Sequence, residues 1–157
     1  MKNIEACLSH NSDDWKTPTD LYDTFMKLNF IDTFKFQSTE NELENDYYNK
    51  KLFINPPFSK MKEVSKWIER QLENENTIAL LIPARTDTQY FHDLAKYKPT
   101  IIFIKGRLHY NDSKSAPFPS MLILFRKMIL ISIPFYLVKT QEQLIKWLEK
   151  NLRGDNI

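Results

Sequence analysis

Glycine is scarce in this chain: among 157 residues there are two, Gly106 and Gly154. Glycine-rich loops let the backbone approach a phosphate closely, so the chain cannot build the phosphate loop of a dinucleotide-binding domain or of a P-loop enzyme. Any nucleoside ligand has to be held by a different device. Cysteine is also nearly absent, because Cys7 stands alone. A lone cysteine excludes an internal disulfide and fits a reducing compartment.

Further absences narrow the class of protein. No apolar run reaches the length of a membrane span, and the N-terminus has no signal-peptide pattern, so we expect a cytoplasmic protein with no membrane partner. Cys7 and the three histidines show no metal-ligand spacing, so we expect no metal. The net charge is only +2 and the sequence pI is about 8.5. A nucleic-acid surface would therefore be a local basic patch.

The hydrophobic content of 42% and the aromatic content of 13% predict a globular protein, and the length favours one domain over residues 1–157. Short apolar runs alternate with amphipathic segments, a pattern typical of an α/β protein. We predict a mainly parallel central sheet with helices on both faces. The predicted strands cover residues 52–54, 77–82, 100–104 and 121–125. The first predicted helix begins at Thr17–Pro18, and three further helices are predicted over residues 60–73, 88–97 and 140–152.

Two of the predicted helices have a sequence signal at their start. Thr17 is the expected cap of the first helix with Pro18 in the first position, and Thr86 or Asp87 is expected to cap the helix over 88–97. The C-terminal part, residues 127–157, is expected to add one or two strands and a packing helix. A β-favouring run over 128–138, interrupted by Pro134, indicates the strands.

The most informative stretch is Asn55-Pro56-Pro57-Phe58, which follows the apolar run over 52–54. Two prolines end a strand and force an extended turn. The turn then presents an amide, a backbone carbonyl and an aromatic ring at the carboxyl end of a strand, where open α/β folds bind ligands. An ordinary strand-ending loop has the same residue types, so that alternative stays open.

These groups suit an exocyclic amine on a flat heterocycle. If Asn55 and the Pro56 carbonyl each accept one N–H, the amine nitrogen is drawn toward tetrahedral geometry and its lone pair can face an electrophilic methyl group. Phe58 would stack on the base. Because a base inside a duplex is unreachable, the target nucleotide would have to be flipped out.

Five motifs in order over residues 12–126 make the chain resemble the phage-type DNA N6-adenine methyltransferases. These enzymes are a compact family of the S-adenosylmethionine-dependent, Rossmann-like class I methyltransferases. The motifs are Ser12-Asp-Asp-Trp-Lys-Thr-Pro18, Asn55-Pro-Pro-Phe58, Leu81-Ile-Pro-Ala-Arg-Thr-Asp-Thr88, Lys105-Gly-Arg-Leu108 and Ala116-Pro-Phe-Pro-Ser120. The resemblance implies an intracellular bacterial or phage enzyme that modifies DNA at specific sites, as restriction–modification systems do. Its cofactor would be S-adenosylmethionine and its macromolecular partner DNA.

The resemblance also implies site residues. Trp15, Thr17 and Pro18 would lie at the methionine end of the cofactor, which is compatible with a helix start because helix N-termini attract carboxylates. Asn55, Pro56, Pro57 and Phe58 would form the catalytic turn, with Asn55 also near the cofactor.

The DNA side is expected at two other strand ends. Arg85 would contact a phosphate or a base edge and Asp87 would orient it, although a structural ion pair or helix cap is an equal alternative. Lys105, Arg107 and Lys114, together with His109, form the best candidate basic patch; a solvated loop is the alternative.

The chain departs from the family at one turn. The usual Asp-Pro followed by a small residue corresponds here to Asp32, Thr33 and a bulky Phe34. Asp32, Thr33 and Glu42 are the expected cofactor contacts, with Glu42 binding a ribose hydroxyl or acting only as a solvated carboxylate.

Three functions follow. The first is methyl transfer from S-adenosylmethionine to N6 of adenine in DNA. The second is a catalytically impaired relative that binds nucleic acid or a protein partner. The third is methylation of another planar amine, cytosine N4 or a glutamine amide. A protein partner or a homo-oligomer is possible in each case.

Overall fold

The computed structural model describes residues 15–35, 39, 41–112, 115–126, 135–138 and 140–153, and only the backbone of 135–138. Cys7, His10, Lys114 and most of the β-favouring run at 128–138 lie outside the described residues or side chains. The described helices are α1 (Thr19–Lys27), α2 (Met61–Glu73), α3 (Gln89–Ala95) and α4 (Gln141–Leu152). The strands are β1 (Ile31–Asp32), β2 (Lys51–Ile54), β3 (Thr77–Pro83), β4 (Thr100–Ile104), β5 (Ser120–Phe125) and β6 (Phe135–Val138).

The strands form one sheet in the order β1-β2-β3-β5-β4-β6. Neighbours β1 and β2, β2 and β3, and β4 and β6 pair in parallel, whereas β5 is antiparallel to both β3 and β4. The sheet is therefore mixed, and the prediction of a mainly parallel sheet is wrong at β5. The chain between β4 and β5 contains a single 3₁₀ turn, Tyr110–Asp112, among its described residues. Without a crossover helix the chain returns beside β4 in the opposite direction.

Both faces of the sheet are covered. Every residue from Ile78 to Pro83 and from Ser120 to Phe125 is buried, which in a strand requires cover on both sides. Helix α1 packs against α4, and α2 packs against α3. The Phe25 ring of α1 stacks on Phe53 of β2 at 4.3 Å between centroids. This contact holds α1 beside β2, the strand that leads directly into Asn55.

Two predicted helix caps are corrected. Helix α1 begins after Pro18, which has no side chain to bond the helix, and the Thr17 hydroxyl bonds Asn55 instead. Helix α3 begins after Thr88, not after Thr86 or Asp87, and the Thr88 hydroxyl donates backwards to the Arg85 carbonyl. At α1 a distant partner, the Asn55 amide, bonds the hydroxyl that the local sequence would assign to a cap. At α3 the Thr88 hydroxyl makes a local bond to a carbonyl three residues earlier and so does not cap the helix.

The other predicted elements agree with the structure within a few residues. Strand β3 continues one residue further than predicted, because Pro83 pairs with Ser120 at the sheet's end. Helix α2 is preceded by the 3₁₀ turn Phe58–Lys60. The predicted tail is present as β6 and α4, and α4 buries Leu144, Leu148 and Leu152.

Candidate active site

The predicted turn lies at the carboxyl end of β2, and all four of its residues are buried. Pro57 is extended, with φ −62° and ψ 119°, and the 3₁₀ turn that starts at Phe58 follows. The carboxyl ends of β1, β3 and β4 lie at the same edge, since these strands run in the direction of β2. Asn55 thus lies at the ligand-binding edge of the sheet.

The Asn55 amide is fixed by two hydrogen bonds. Its Nδ2 donates to the Trp15 carbonyl at 2.7 Å and to the Thr17 hydroxyl at 3.0 Å. A backbone carbonyl only accepts, so the nitrogen must face Trp15 and the oxygen must face the other way. Asn55 is 5% exposed, and its Oδ1 is buried and has no hydrogen-bond partner among the residues that the structure describes. A buried acceptor without a partner costs about 1–3 kcal/mol, which a ligand that donates an N–H would recover.

Asn55 lines a cleft of about 360 Å³. That volume is in the range of small-molecule sites. The other lining residues come from the segment before α1, from α1 itself and from the end of β1: Lys16, Thr17, Tyr22, Asp32, Phe34 and Lys35. Three of the predicted cofactor residues, Thr17, Asp32 and Asn55, therefore share one cleft.

Sequence reasoning missed Lys16, Tyr22 and Lys35. Tyr22 lies one helical turn after Pro18; burial contributes most to raising the pKa of its hydroxyl, and Asp32 is near enough to raise it further. Helical spacing was available as a signal for Tyr22. The two lysines had no signal beyond being neighbours of Thr17 and Phe34.

The turn that departs from the family pattern keeps a defined geometry. Thr33 is buried, and its backbone N–H and its hydroxyl both donate to the Phe53 carbonyl at 3.2 Å. Thr33 is therefore used in joining β1 to β2 and does not line the cleft. The Phe34 ring is 2% exposed and lies edge-on to Trp67 at 5.2 Å between centroids. The bulky side chain is accommodated in the core, with its surface forming part of the cleft wall.

Burial raises the pKa of Asp32, and the nearby Glu42 raises it further, whereas Lys35 and the Tyr22 hydroxyl lower it. Burial also raises the pKa of Glu42, whose carboxylate accepts a hydrogen bond from the Tyr47 hydroxyl at 3.0 Å. Burial and this bond raise the pKa of Tyr47 to about 12. Two partly desolvated carboxyls thus interact electrostatically, and one of them, Asp32, lines the cleft.

Phe58 belongs to an aromatic cluster. Its ring is 6% exposed and lies edge-on to Phe118 at 5.6 Å and to Tyr110 at 6.4 Å. Trp15 meets Phe118 at 5.0 Å and Tyr110 at 5.9 Å, so the cluster joins the turn, the segment before α1 and the β4–β5 connection. A base that stacks on Phe58 needs part of this cluster to move aside.

Four of the five predicted DNA residues, Arg85, Asp87, Lys105 and Arg107, follow strands that end at the same edge of the sheet as Asn55. Lys105 and Arg107 are exposed on either side of Gly106, which has a φ of +85° and so favours glycine. Arg85 is half-buried just after β3, and Asp87 is exposed two residues later. Lys114 is outside the described residues. The DNA contacts of all five residues stay predictions.

The described part of the chain contains no group of three or more histidine, cysteine, aspartate or glutamate residues that could hold a metal ion. Within the same residues, no helix is long and apolar enough to cross a membrane.

The comparisons with known proteins give one match. The family model described as DNA N-6-adenine-methyltransferase (Dam) matches residues 6–146. The match includes the turn at Asn55 and all the residues that line the cleft. No curated protein and no solved structure matches the chain.

Proposed function

The chain belongs to the DNA N-6-adenine-methyltransferase (Dam) family, and from this premise we propose that it methylates N6 of adenine in DNA. The observation that supports the reaction most strongly is the buried Oδ1 of Asn55, which has no hydrogen-bond partner in the described part of the chain. A methyltransferase that acts on an exocyclic amine needs such an acceptor at the reacting nitrogen.

The role of Asn55 is to bind one N–H of the adenine amine through Oδ1. Its own N–H groups are bonded to Trp15 and Thr17, so the amide is set before the base arrives and does not have to reorganise. The Pro56 carbonyl accepts the second N–H; a carbonyl oxygen has two lone pairs, so another partner of Pro56 does not preclude this bond. Two acceptors on one nitrogen leave its lone pair free to attack.

The cleft residues fit S-adenosylmethionine. Lys16 and Lys35 supply positive charge for a carboxylate, and Asp32 supplies a partly buried carboxyl for hydroxyl groups or for a sulfonium. When bound, the cofactor supplies the electrophilic methyl group. Thr17 and Asn55 would then lie against the cofactor, because both line the cleft. Asn55 would also contact the adenine through its Oδ1. Glu42, next to Asp32, is proposed to bind a ribose hydroxyl, and Trp15 and Pro18 to support the methionine end.

The sheet is proposed to be a variant of the Rossmann-like class I methyltransferase sheet. All strands other than β5 run in the same direction, and the cleft lies at their carboxyl ends. The packing of Phe34 against Trp67 supports the enzyme over an impaired relative, since the ring is held in the core.

The test is transfer of labelled methyl from S-adenosylmethionine to unmethylated DNA, followed by digestion and identification of the nucleoside. We expect label in N6-methyladenine. Label in N4-methylcytosine, or in protein alone, would replace the proposed acceptor. Calorimetric titration with S-adenosylmethionine separates the remaining alternative: no detectable heat at millimolar cofactor, together with no transfer, would favour a binding module.

A further inference from the structure

The segment Trp15–Thr19, here called the strap, supplies both acceptors of the Asn55 amide but has little regular structure of its own. Residues 15–18 precede α1 and belong to no helix or strand. The Trp15 carbonyl and the Thr17 hydroxyl hold Asn55 at 2.7 and 3.0 Å. Whatever fixes the strap therefore also fixes the direction of Asn55 Oδ1.

Two residues of the β4–β5 connection hold the strap. Asn111 makes a reciprocal pair of bonds with Lys16, which lies between the two acceptors. The Lys16 N–H donates to Asn111 Oδ1, and the Asn111 N–H donates to the Lys16 carbonyl, each at 2.9 Å. The Asp112 carboxylate accepts the Thr19 backbone N–H at 3.0 Å and also the Thr19 hydroxyl. The strap is thus bonded on both sides of Thr17.

The backbone of the two residues is specialised for these bonds. Asn111 and Asp112 have left-handed φ angles of 58° and 50°. Asparagine and aspartate are the non-glycine residues that adopt this region most readily. Tyr110, just before them, is buried, and its hydroxyl lies 3.2 Å from the Ser120 hydroxyl at the start of β5. The turn Tyr110–Asp112 is therefore anchored in the sheet while its two polar side chains hold the strap.

We infer that Asn111 and Asp112 are positioning residues: through the strap they set the direction in which Asn55 presents its unpartnered oxygen. The inference about catalysis rests on the proposed function, but the orientation of Asn55 can be measured without any turnover. The connection that contains these residues also contains Lys105, Arg107 and Lys114. A contact between this connection and DNA would then act directly on the geometry of the amine site.

The decisive variant is Asn111→Gly, because glycine accepts the left-handed backbone and removes only the side chain that bonds Lys16. Asn111→Asp keeps an oxygen in place and is the conservative variant. Asn49→Gly is the matched control, since Asn49 is an exposed asparagine with a φ of 53° that lies before β2, at the opposite edge of the sheet.

The first measurement is the NMR signal of the Asn55 side-chain amide in protein labelled with ¹⁵N-asparagine, assigned by its loss in Asn55→Ala. We expect Asn111→Gly to shift this signal and to make its exchange with solvent about tenfold faster, as the loss of a supporting hydrogen bond implies. Asn111→Asp and Asn49→Gly should retain the wild-type signal. Asp112→Gly, which removes the second pair of bonds, should act like Asn111→Gly and replaces it if that variant does not fold.

The second measurement is turnover per folded molecule. A misplaced amide should lower kcat about tenfold or more, with the KM for DNA nearly unchanged. A lower melting temperature with an unchanged Asn55 signal and unchanged kcat would overturn the inference, because the two residues would then only stabilise the fold. If the wild-type protein transfers no methyl to DNA, the proposed function fails while the amide signal still decides this inference.

Discussion

Replacing Asn55 separates the two interpretations of the turn at the end of β2. If the turn is only a strand-ending loop, Asn55→Ala costs stability and nothing else. If Asn55 binds the reacting amine, the variant loses turnover far beyond its loss of stability. The two outcomes differ enough to be measured together on one preparation.

The magnitudes follow from the bonds that Asn55 makes. Alanine removes two donated hydrogen bonds, to Trp15 and Thr17, which are worth about 1–3 kcal/mol of the free energy of unfolding. It also removes the buried unpaired Oδ1, which offsets part of that loss, so the net destabilisation should be at most about 3 kcal/mol. That oxygen is also the acceptor for the amine. Loss of one preorganised group at a reacting centre lowers kcat about 10²–10³-fold.

Asn76→Ala is the matched control. Asn76 is a 2%-exposed asparagine just before β3, and its Nδ2 donates to the Tyr47 and Gln71 carbonyls at 2.7 and 2.9 Å. Its Oδ1 differs from that of Asn55 because it already accepts the Lys50 N–H, at 2.8 Å. Asn76 Nδ2 also makes a longer bond to Gln71 Oε1 at 3.4 Å. With these four bonds lost, Asn76→Ala should lower stability by about 2–4 kcal/mol and leave kcat per folded molecule close to that of the wild type.

The assay is methyl transfer to unmethylated DNA at a temperature where all three proteins are folded, with the folded fraction taken from thermal unfolding. Cofactor affinity, measured by calorimetry, should be nearly unchanged in Asn55→Ala. Equal kcat in the two variants, or normal turnover in Asn55→Ala, would refute the role assigned to the amide.

Three further predictions use the same assays. Phe58→Ala should lower the free energy of unfolding by about 3–5 kcal/mol, because Phe58 is 6% exposed. The variant should also raise the KM for DNA, with a smaller loss of kcat than Asn55→Ala. Unchanged DNA affinity would limit the role of Phe58 to packing. Lys105→Ala and Arg107→Ala should each weaken DNA binding by a similar factor for all sequences. Each should also reduce the slope of the log binding constant against the log salt concentration by about one, as measured by titration at several salt concentrations. An unchanged slope would show that the residue does not contact DNA. Because burial raises the pKa of Asp32, its ionisation opposes folding, and its contribution to stability falls as pH rises through that pKa. Asp32→Asn should therefore gain thermal stability at neutral pH, gain less at acid pH, and bind S-adenosylmethionine more weakly; equal gains at both pH values would contradict this.

Much of the fold was predictable because the elements are strongly patterned. The apolar runs at β2, β3 and β4 and the stripes of α2 and α4 gave the strands and helices nearly in full. The direction of β5 was not predicted, since a fully buried strand has the same apolar pattern whichever way it runs. The missing helix between β4 and β5 was the available signal for an antiparallel return.

The site was predictable where the residue type itself is chemically distinctive. The amide of Asn55 and the carboxyl of Asp32 were expected, and the structure places them with Thr17 at one cleft. The hydrogen bond from Asn55 to the Thr17 hydroxyl was not predicted. The hydroxyl could either cap the helix that follows it or bond a residue distant in sequence, and only the fold decides between the two. Asn111 and Asp112 look like ordinary loop residues in the sequence, and their contacts with the strap join positions more than ninety residues apart.

The central claim concerns one atom, Asn55 Oδ1, and a structure of the protein with DNA and the demethylated cofactor tests it most directly. We expect a flipped adenine whose N6 lies within about 3.2 Å of that oxygen, with the Nδ2 bonds to Trp15 and Thr17 retained. An adenine bound elsewhere, or an Asn55 oxygen turned into the protein with DNA bound, would contradict it.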